Sequence, residues 1–173
     1  MEIKILPGFI NVDKYNTFNP DLVMDLESNK WDIKTNSVDY ILLNRVLEHI
    51  GQTPDIFLNI MKELYRISKN NAIIEINVPH PLHVDFRTDP THVRKITGGT
   101  LEMFSKKKCE IWTKKHAANT PFATILDVDF EIISNTLIPD NTTVILLIKR
   151  GILLNLADSQ NYINKYNNLI KEI

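Results

Sequence analysis

Apolar residues in this chain fall into short runs at the N-terminal end and into helical spacing further on. Phe9-Ile10-Asn11-Val12-Asp13 follows the turn signal Pro7-Gly8 and is an apolar run closed by a carboxylate, which predicts a strand. Residues 14–20 read as loop, and Leu22-Val23-Met24-Asp25 predicts a second short strand that again ends in an acid. Residues 27–37 are polar around Trp31. Val38 to Asn44 (VDYILLN) is almost continuously apolar, as expected of a strand buried on both faces of a parallel sheet. Thr53-Pro54 opens a helix, with Thr as the cap, Pro at the first helical position and Asp55 beside the positive end. Ile56, Ile60, Met61, Leu64 and Ile67 then share one helical face, and Asn70-Asn71 ends the helix. Ala72 to Val78 predicts the next strand, closed by Pro79, and His80 to Lys95 a polar loop. Gly98-Gly99 leads into a short helix around Leu101 to Ser105. Asp129–Ile138 and Thr142–Lys149 predict two strands joined at Pro139-Asp140-Asn141 as a hairpin. Ile152 to Ile173 predicts a terminal helix, weak near Asp158-Ser159.

A helix between buried strands argues for a parallel α/β sheet, and a closing antiparallel hairpin narrows the class further. The expected fold is α/β, a Rossmann-like, mostly parallel sheet with a C-terminal antiparallel hairpin. A length of 173 residues predicts one domain, 1–173, with a sizeable core. The net charge of -1 gives no support to general attraction to nucleic acid or to a membrane surface. The runs Lys106-Lys107-Lys108 and Lys114-Lys115 read as solvated surface. The lone Cys109 has no internal disulfide partner, and no signal peptide or apolar run of about 18 residues is present, so a cytoplasmic location is expected.

Asp13, Asp25 and Asn44 close three predicted strands. Ligands of open α/β sheets bind outside the carboxyl ends of the strands, where a carboxylate accepts hydrogen bonds from both ribose hydroxyls. Strand-end Asp also suits turns, so one such residue means little; three in register favour a nucleotide-like ligand.

The segments GFINVD, DLVMDLE, NSVDYILLNRVLEHI and ELYRISKNNAIIEINVP resemble the class I S-adenosylmethionine-dependent methyltransferases. The resemblance covers about residues 8 to 80, and more loosely the Asp-Pro-Thr-His-Val-Arg segment and the hairpin. It implies S-adenosylmethionine as cofactor. Asp13 matches the ribose-binding acid, Asp25 with Leu26 the adenine-contacting pair, and Asn44 with Arg45 the strand end facing cofactor and substrate. Glu48 and His49 match a signature that usually begins the next helix, where His49 is as readily a packing or capping residue.

Two departures stand out. The turn expected as Lys-Pro-Gly-Gly is Ser68-Lys69-Asn70-Asn71; Asn tolerates left-handed backbone, so this loss is mild. More seriously, the family's first strand and its glycine-rich loop are absent. Glu2 to Leu6 is no substitute, because Pro7-Gly8 permits only a hairpin to Phe9, not a parallel crossover of about a dozen residues. The missing strand is central in the family, between the Asp13 and Asn44 strands. The expectation is a chain truncated at its N-terminus; the alternatives are direct pairing of the two flanking strands, or a partner chain in the gap.

The segment from His80 to Arg94 holds three of the five histidines. His80 and His92 are the expected catalytic bases, suited to accept a proton near neutral pH. His83, Asp85, Arg87, Asp89 and Arg94 are the expected substrate-binding groups, with the arginines as anion clamps. In a plainer reading, Asp89-Pro90 starts a turn, and His92 and Arg94 tie the loop to the body. His80, His83 and Asp85 also suggest a metal, but their spacing matches no strong zinc pattern, so no metal is expected. The leading expectation is a methyltransferase acting on a small-molecule or glycan acceptor, with homodimerisation open and no nucleic-acid or membrane partner. A catalytically inactive methyltransferase-like binding or assembly module is the alternative, and a metal-assisted hydrolase comes third.

Overall fold

A computed structural model describes residues 8–139 and 142–149. The expectations for Glu2 to Leu6, for the turn residues Asp140-Asn141 and for a helix over 152–173 lie outside the described residues.

The strands are β1 (Val12–Asp13), β2 (Leu22–Val23), β3 (Val38–Asn44), β4 (Ser68–Pro79), β5 (Phe130–Leu137) and β6 (Thr142–Lys149). The helices are α1 (Pro54–Ile67), α2 (Val84–Thr88), α3 (Gly98–Glu102), α4 (Lys106–Lys114) and α5 (Phe122–Leu126). β3 and β4 are parallel, β6 runs antiparallel to β4, and β5 is antiparallel to β6, in the order β3-β4-β6-β5. The hairpin therefore closes the sheet as expected, with its second strand inserted beside β4. β1 and β2 form a separate parallel pair. Direct pairing of β1 with β3, one of the three repairs considered above, does not occur among the described residues. The ring of Phe9 instead meets Tyr40 of β3 edge-on, with centroids 5.7 Å apart.

One face of the sheet carries most of the core. Ile74 and Ile76 of β4 and Ile145 and Leu147 of β6 pack with Ile60, Met61, Leu64 and Ile67 of α1 and with Leu101, Phe104 and Phe130. Burying each such side chain is worth roughly 1.5–3 kcal/mol. α1 begins where Thr53-Pro54 predicts, and Ile60 to Ile67 lie inward; Phe57 is buried as well, and Ile56 is only partly so.

The opposite face differs from expectation. Of β3 only Leu43 is buried, so the strand is not enclosed on both faces. The reasons are physical. β3 has one neighbour among the described residues, and the second face holds a small apolar cluster around Ile73 together with polar groups. There Tyr40 donates its hydroxyl to Glu75 at 2.5 Å, and Asn77 donates to the same carboxylate at 2.8 Å.

Other boundaries also shift. Asn70-Asn71 does not end α1: Ser68 closes the helix, and β4 starts there, with an irregular register before Tyr40↔Ile73 and Asn71 at φ 66°. The polar segment 80–95 contains α2, capped by His83. The lysine-rich stretch is a helix, α4, capped by Ser105 and anchored by buried Cys109.

Candidate functional site

Asp13 ends β1, and Asp25 lies two residues beyond the end of β2, so the two acids sit at the carboxyl ends of paired parallel strands. Their local bonds hold them there. Asp13 Oδ1 accepts from the Tyr15 amide at 2.8 Å, and its carbonyl accepts from the Met24 amide at 2.8 Å. Asp25 Oδ1 accepts from the Glu27 amide at 2.9 Å, while Oδ2 pairs with Lys14 at 2.9 Å. Lys14, and then the Glu27 amide, hold the Asp25 carboxyl below the usual carboxylate range. Leu26 packs against the core and its carbonyl accepts from the Trp31 indole at 3.0 Å.

At the end of β3, Asn44 is exposed and Arg45 turns into the left-handed region at φ 56°. The Arg45 amide donates to the Asn77 carbonyl at 2.8 Å, and its guanidinium reaches Thr142 Oγ1 on β6 at 2.5 Å. The chain then makes a turn, not the start of the next helix, and this turn carries Glu48 and His49. Glu48 is fully buried, and neither of its carboxyl oxygens has a hydrogen-bond partner in another residue. Burial pushes its carboxyl above the usual range. Its main-chain carbonyl accepts from the amides of Val93 at 2.9 Å and Arg94 at 3.2 Å, which fastens the 80–95 segment to this turn.

The structure distributes the expected groups of that segment among several tasks. His80 Nδ1 accepts from the Leu82 amide at 3.3 Å. His83 Nδ1 caps α2 through the Asp85 amide and lies 3.2 Å from Asp85 Oδ2. Arg87 donates to the Leu82 carbonyl at 3.3 Å. Asp89 accepts from the amide and hydroxyl of Thr91. His92 is nearly buried, its Nδ1 2.9 Å from the Phe86 carbonyl and its ring stacked on Phe86. Arg94 donates to the Gly51 carbonyl through both Nε and Nη2 and lies 4.3 Å over the Phe57 ring. For His92 and Arg94 this is the plainer, loop-fastening geometry. Among the described residues, the acid-and-histidine set brought within ligand range is Glu48, His49 and His92, not His80, His83 and Asp85.

His80 also lines a cavity of about 290 Å³, together with Ile96, Thr97, Gly98, Asn135 and Thr143. His80 follows the end of β4, and Thr143 is near the start of antiparallel β6, so the cavity opens at the carboxyl end of β4, toward β6 and β5. Thr143 Oγ1 is buried there without a partner. Asn135 presses on Gly98: a Cβ at Gly98 would lie 2.5 Å from Asn135 Nδ2. Sequence reasoning missed Asn135 and Thr143, because nothing in a strand pattern marks which polar residue ends up beside a cavity. The buried Glu48 was within reach, since it follows the apolar Val46-Leu47 in a turn.

No protein-family model matches the chain, and neither does any curated protein. Solved structures do. A methyltransferase from Archaeoglobus fulgidus, described as SAM dependent, is 17% identical, with 80% of this chain and 74% of that one aligned at a TM-score of 0.50. A 1,6-didemethyltoxoflavin-N1-methyltransferase from Burkholderia thailandensis, solved with 1,6-didemethyltoxoflavin and S-adenosylhomocysteine, is 13% identical over 81% of this chain and 60% of that one, at 0.46. A putative S-adenosylmethionine dependent methyltransferase from Listeria monocytogenes is 16% identical over 78% and 72%, at 0.43. Taken with the sheet order, the Archaeoglobus structure establishes that this chain has the fold of the class I S-adenosylmethionine-dependent methyltransferases.

Proposed function

We propose that this chain is a methyltransferase that binds S-adenosylmethionine and transfers its methyl group to a small-molecule acceptor. The observation that carries this reading is the pair of carboxylates at the ends of adjacent parallel strands β1 and β2, on the class I methyltransferase fold. Asp13 binds the ribose hydroxyls, and Asp25 with Leu26 contacts the adenine. For Asp25 this requires its carboxylate, now paired with Lys14 at 2.9 Å, to share or exchange that partner. Both residues are exposed enough for such an exchange at little cost, since exposed ion pairs contribute about 0–1 kcal/mol. Asn44 and Arg45 face the sulfonium end.

The acceptor occupies the cavity beside His80, with Asn135 and Thr143 as polar contacts. A volume of about 290 Å³ suits a small molecule or a single sugar unit, not an extended glycan. His80 would take the proton released by the acceptor heteroatom at Nδ1, in place of the Leu82 amide it now accepts from at 3.3 Å, and S-adenosylmethionine, when bound, would supply the methyl group. His83, Asp85, Arg87 and Asp89 lie on the segment that follows His80 and would reach the acceptor from there; the roles first given to His92 and Arg94 pass to holding the loop.

Isothermal calorimetry with S-adenosylmethionine and with S-adenosylhomocysteine tests the cofactor half. Saturable binding of either, weakened at least tenfold in Asp13→Ala, is expected. Absence of heat at millimolar ligand, or full affinity in Asp13→Ala, refutes it.

A further inference from the structure

Glu48 poses a question that methyl transfer does not answer. Its carboxyl group is fully buried, yet neither oxygen finds a hydrogen-bond partner in another residue. An unsatisfied buried polar group costs about 1–3 kcal/mol, and more if it is charged. Something must compensate it. The neighbours are two histidines from different segments. One nitrogen each from His49 and His92 and one Glu48 oxygen all lie within 4.8 Å of one another, and the two imidazole rings meet with centroids 4.5 Å apart.

The hydrogen bonds around the rings set their tautomers. His92 Nδ1 lies 2.9 Å from the Phe86 carbonyl, an acceptor, so Nδ1 carries the proton and Nε2 keeps a lone pair. His49 Nδ1 lies 2.9 Å from Thr91 Oγ1, and that hydroxyl donates its own proton to Asp89. The Thr91 oxygen therefore accepts from His49 Nδ1, and His49 Nε2 likewise keeps its lone pair. A backbone carbonyl behind one ring and a Thr–Asp relay behind the other are the outer-shell partners that orient metal-binding histidines. Asp89 adds a second carboxylate nearby, with Oδ2 3.8 Å from His92 Nε2.

The geometry points to a divalent-cation site formed by Glu48, His49 and His92, of the kind that takes Zn²⁺ or a neighbouring first-row transition metal. Two imidazoles and one carboxylate select that class over Mg²⁺ or Ca²⁺, which prefer all-oxygen shells. In a tetrahedral shell, bonds of about 2.1 Å place two ligands about 3.4 Å apart, so a pair at the full 4.8 Å would close by about 1.4 Å on binding. His49 is only partly buried, which leaves room on its side for water or an acceptor heteroatom in the remaining positions. The cation also spans the joint already made by the Glu48 carbonyl and the amides of Val93 and Arg94, and so locks the 80–95 segment to the turn after β3. This site is separate from the His80, His83 and Asp85 set and does not depend on methyl transfer.

Calorimetry of the chelator-stripped protein with ZnCl₂, run beside MgCl₂, tests the site without any activity assay. One Zn²⁺ per chain is expected, with a raised melting temperature and no comparable Mg²⁺ binding. His49→Ala and His92→Ala are each expected to weaken Zn²⁺ by about 10–100-fold, with circular dichroism reporting the fold, and His116→Ala to leave it unchanged. Glu48→Gln is expected to weaken it as well; if that buried variant does not fold, the two histidine variants decide. No stoichiometric Zn²⁺, undiminished binding in both histidine variants, or a preference for Mg²⁺ overturns the proposal.

Discussion

Gly51 holds its backbone at φ 73°, and a Cβ there would lie 2.9–3.0 Å from the Cβ and Cα of Phe57. Phe57 cannot retreat, because its ring packs on Phe104 and beneath Arg94. Gly51→Ala therefore meets both a left-handed backbone and a clash with main chain. A loss of about 1–3 kcal/mol is expected, read as a lower urea midpoint at unchanged slope. Glu63 gives a second residue-scale expectation. Arg66, and secondarily the Trp31 amide, hold its carboxyl below the usual range in the folded chain, against the opposing effect of burial. An acid whose folded pKa is lowered stabilises fully above its unfolded pKa, and that contribution is lost as pH falls through the folded value. Urea midpoints of the native chain should thus drop as pH falls below about 4.5, and Glu63→Gln should flatten that slope. Little of this was readable in advance. A glycine after an apolar turn, or a glutamate on the flank of a helix, looks the same in sequence whether solvated or wedged.

At the scale of elements, α1 shows what periodicity captures and what it leaves out. Its start and its inner residues Ile60, Met61, Leu64 and Ile67 follow from spacing alone. Its second task does not. Glu63 and Arg66 turn toward the polar segment before β3: Glu63 accepts from the Trp31 amide at 2.7 Å, and Arg66 donates to the carbonyls of Trp31 and Ile33 at 3.0 and 2.8 Å. A stretch without strand or helix is thereby given its backbone partners by a helix distant in sequence. Arg66→Ala strands the nearly buried Glu63 and frees those carbonyls, and about 3 kcal/mol is the expected loss, measurable by denaturant unfolding. α4 went unseen for the opposite reason. Its lysines mask a sparse apolar set, and its inward anchor is the small Cys109.

Across the whole molecule, the parallel pair β1–β2 and the four-stranded sheet remain separate, with β3 paired only to β4 among the described residues. Half of the β3 amides then point away from β4. Hydrogen exchange is expected to be faster in Val38–Asn44 than in Ile73–Asn77, which has a partner on both sides. Equal protection of the two strands would mean that the open side of β3 is covered. The sequence by itself determined the order of the strands and α1, the parallel β3–α1–β4 unit, the closing hairpin, and the acids Asp13 at the end of β1 and Asp25 just past β2. These depend on local spacing, turn chemistry and the side on which a strand's last residue falls, all written along the chain. Tertiary structure alone decided that β1 and β3 do not pair, that Asn135 and Thr143 border a cavity with His80, and that Glu48 is buried between two histidines. Each of these depends on which distant segments meet, and the polar side chains involved carry no periodic signal of their own.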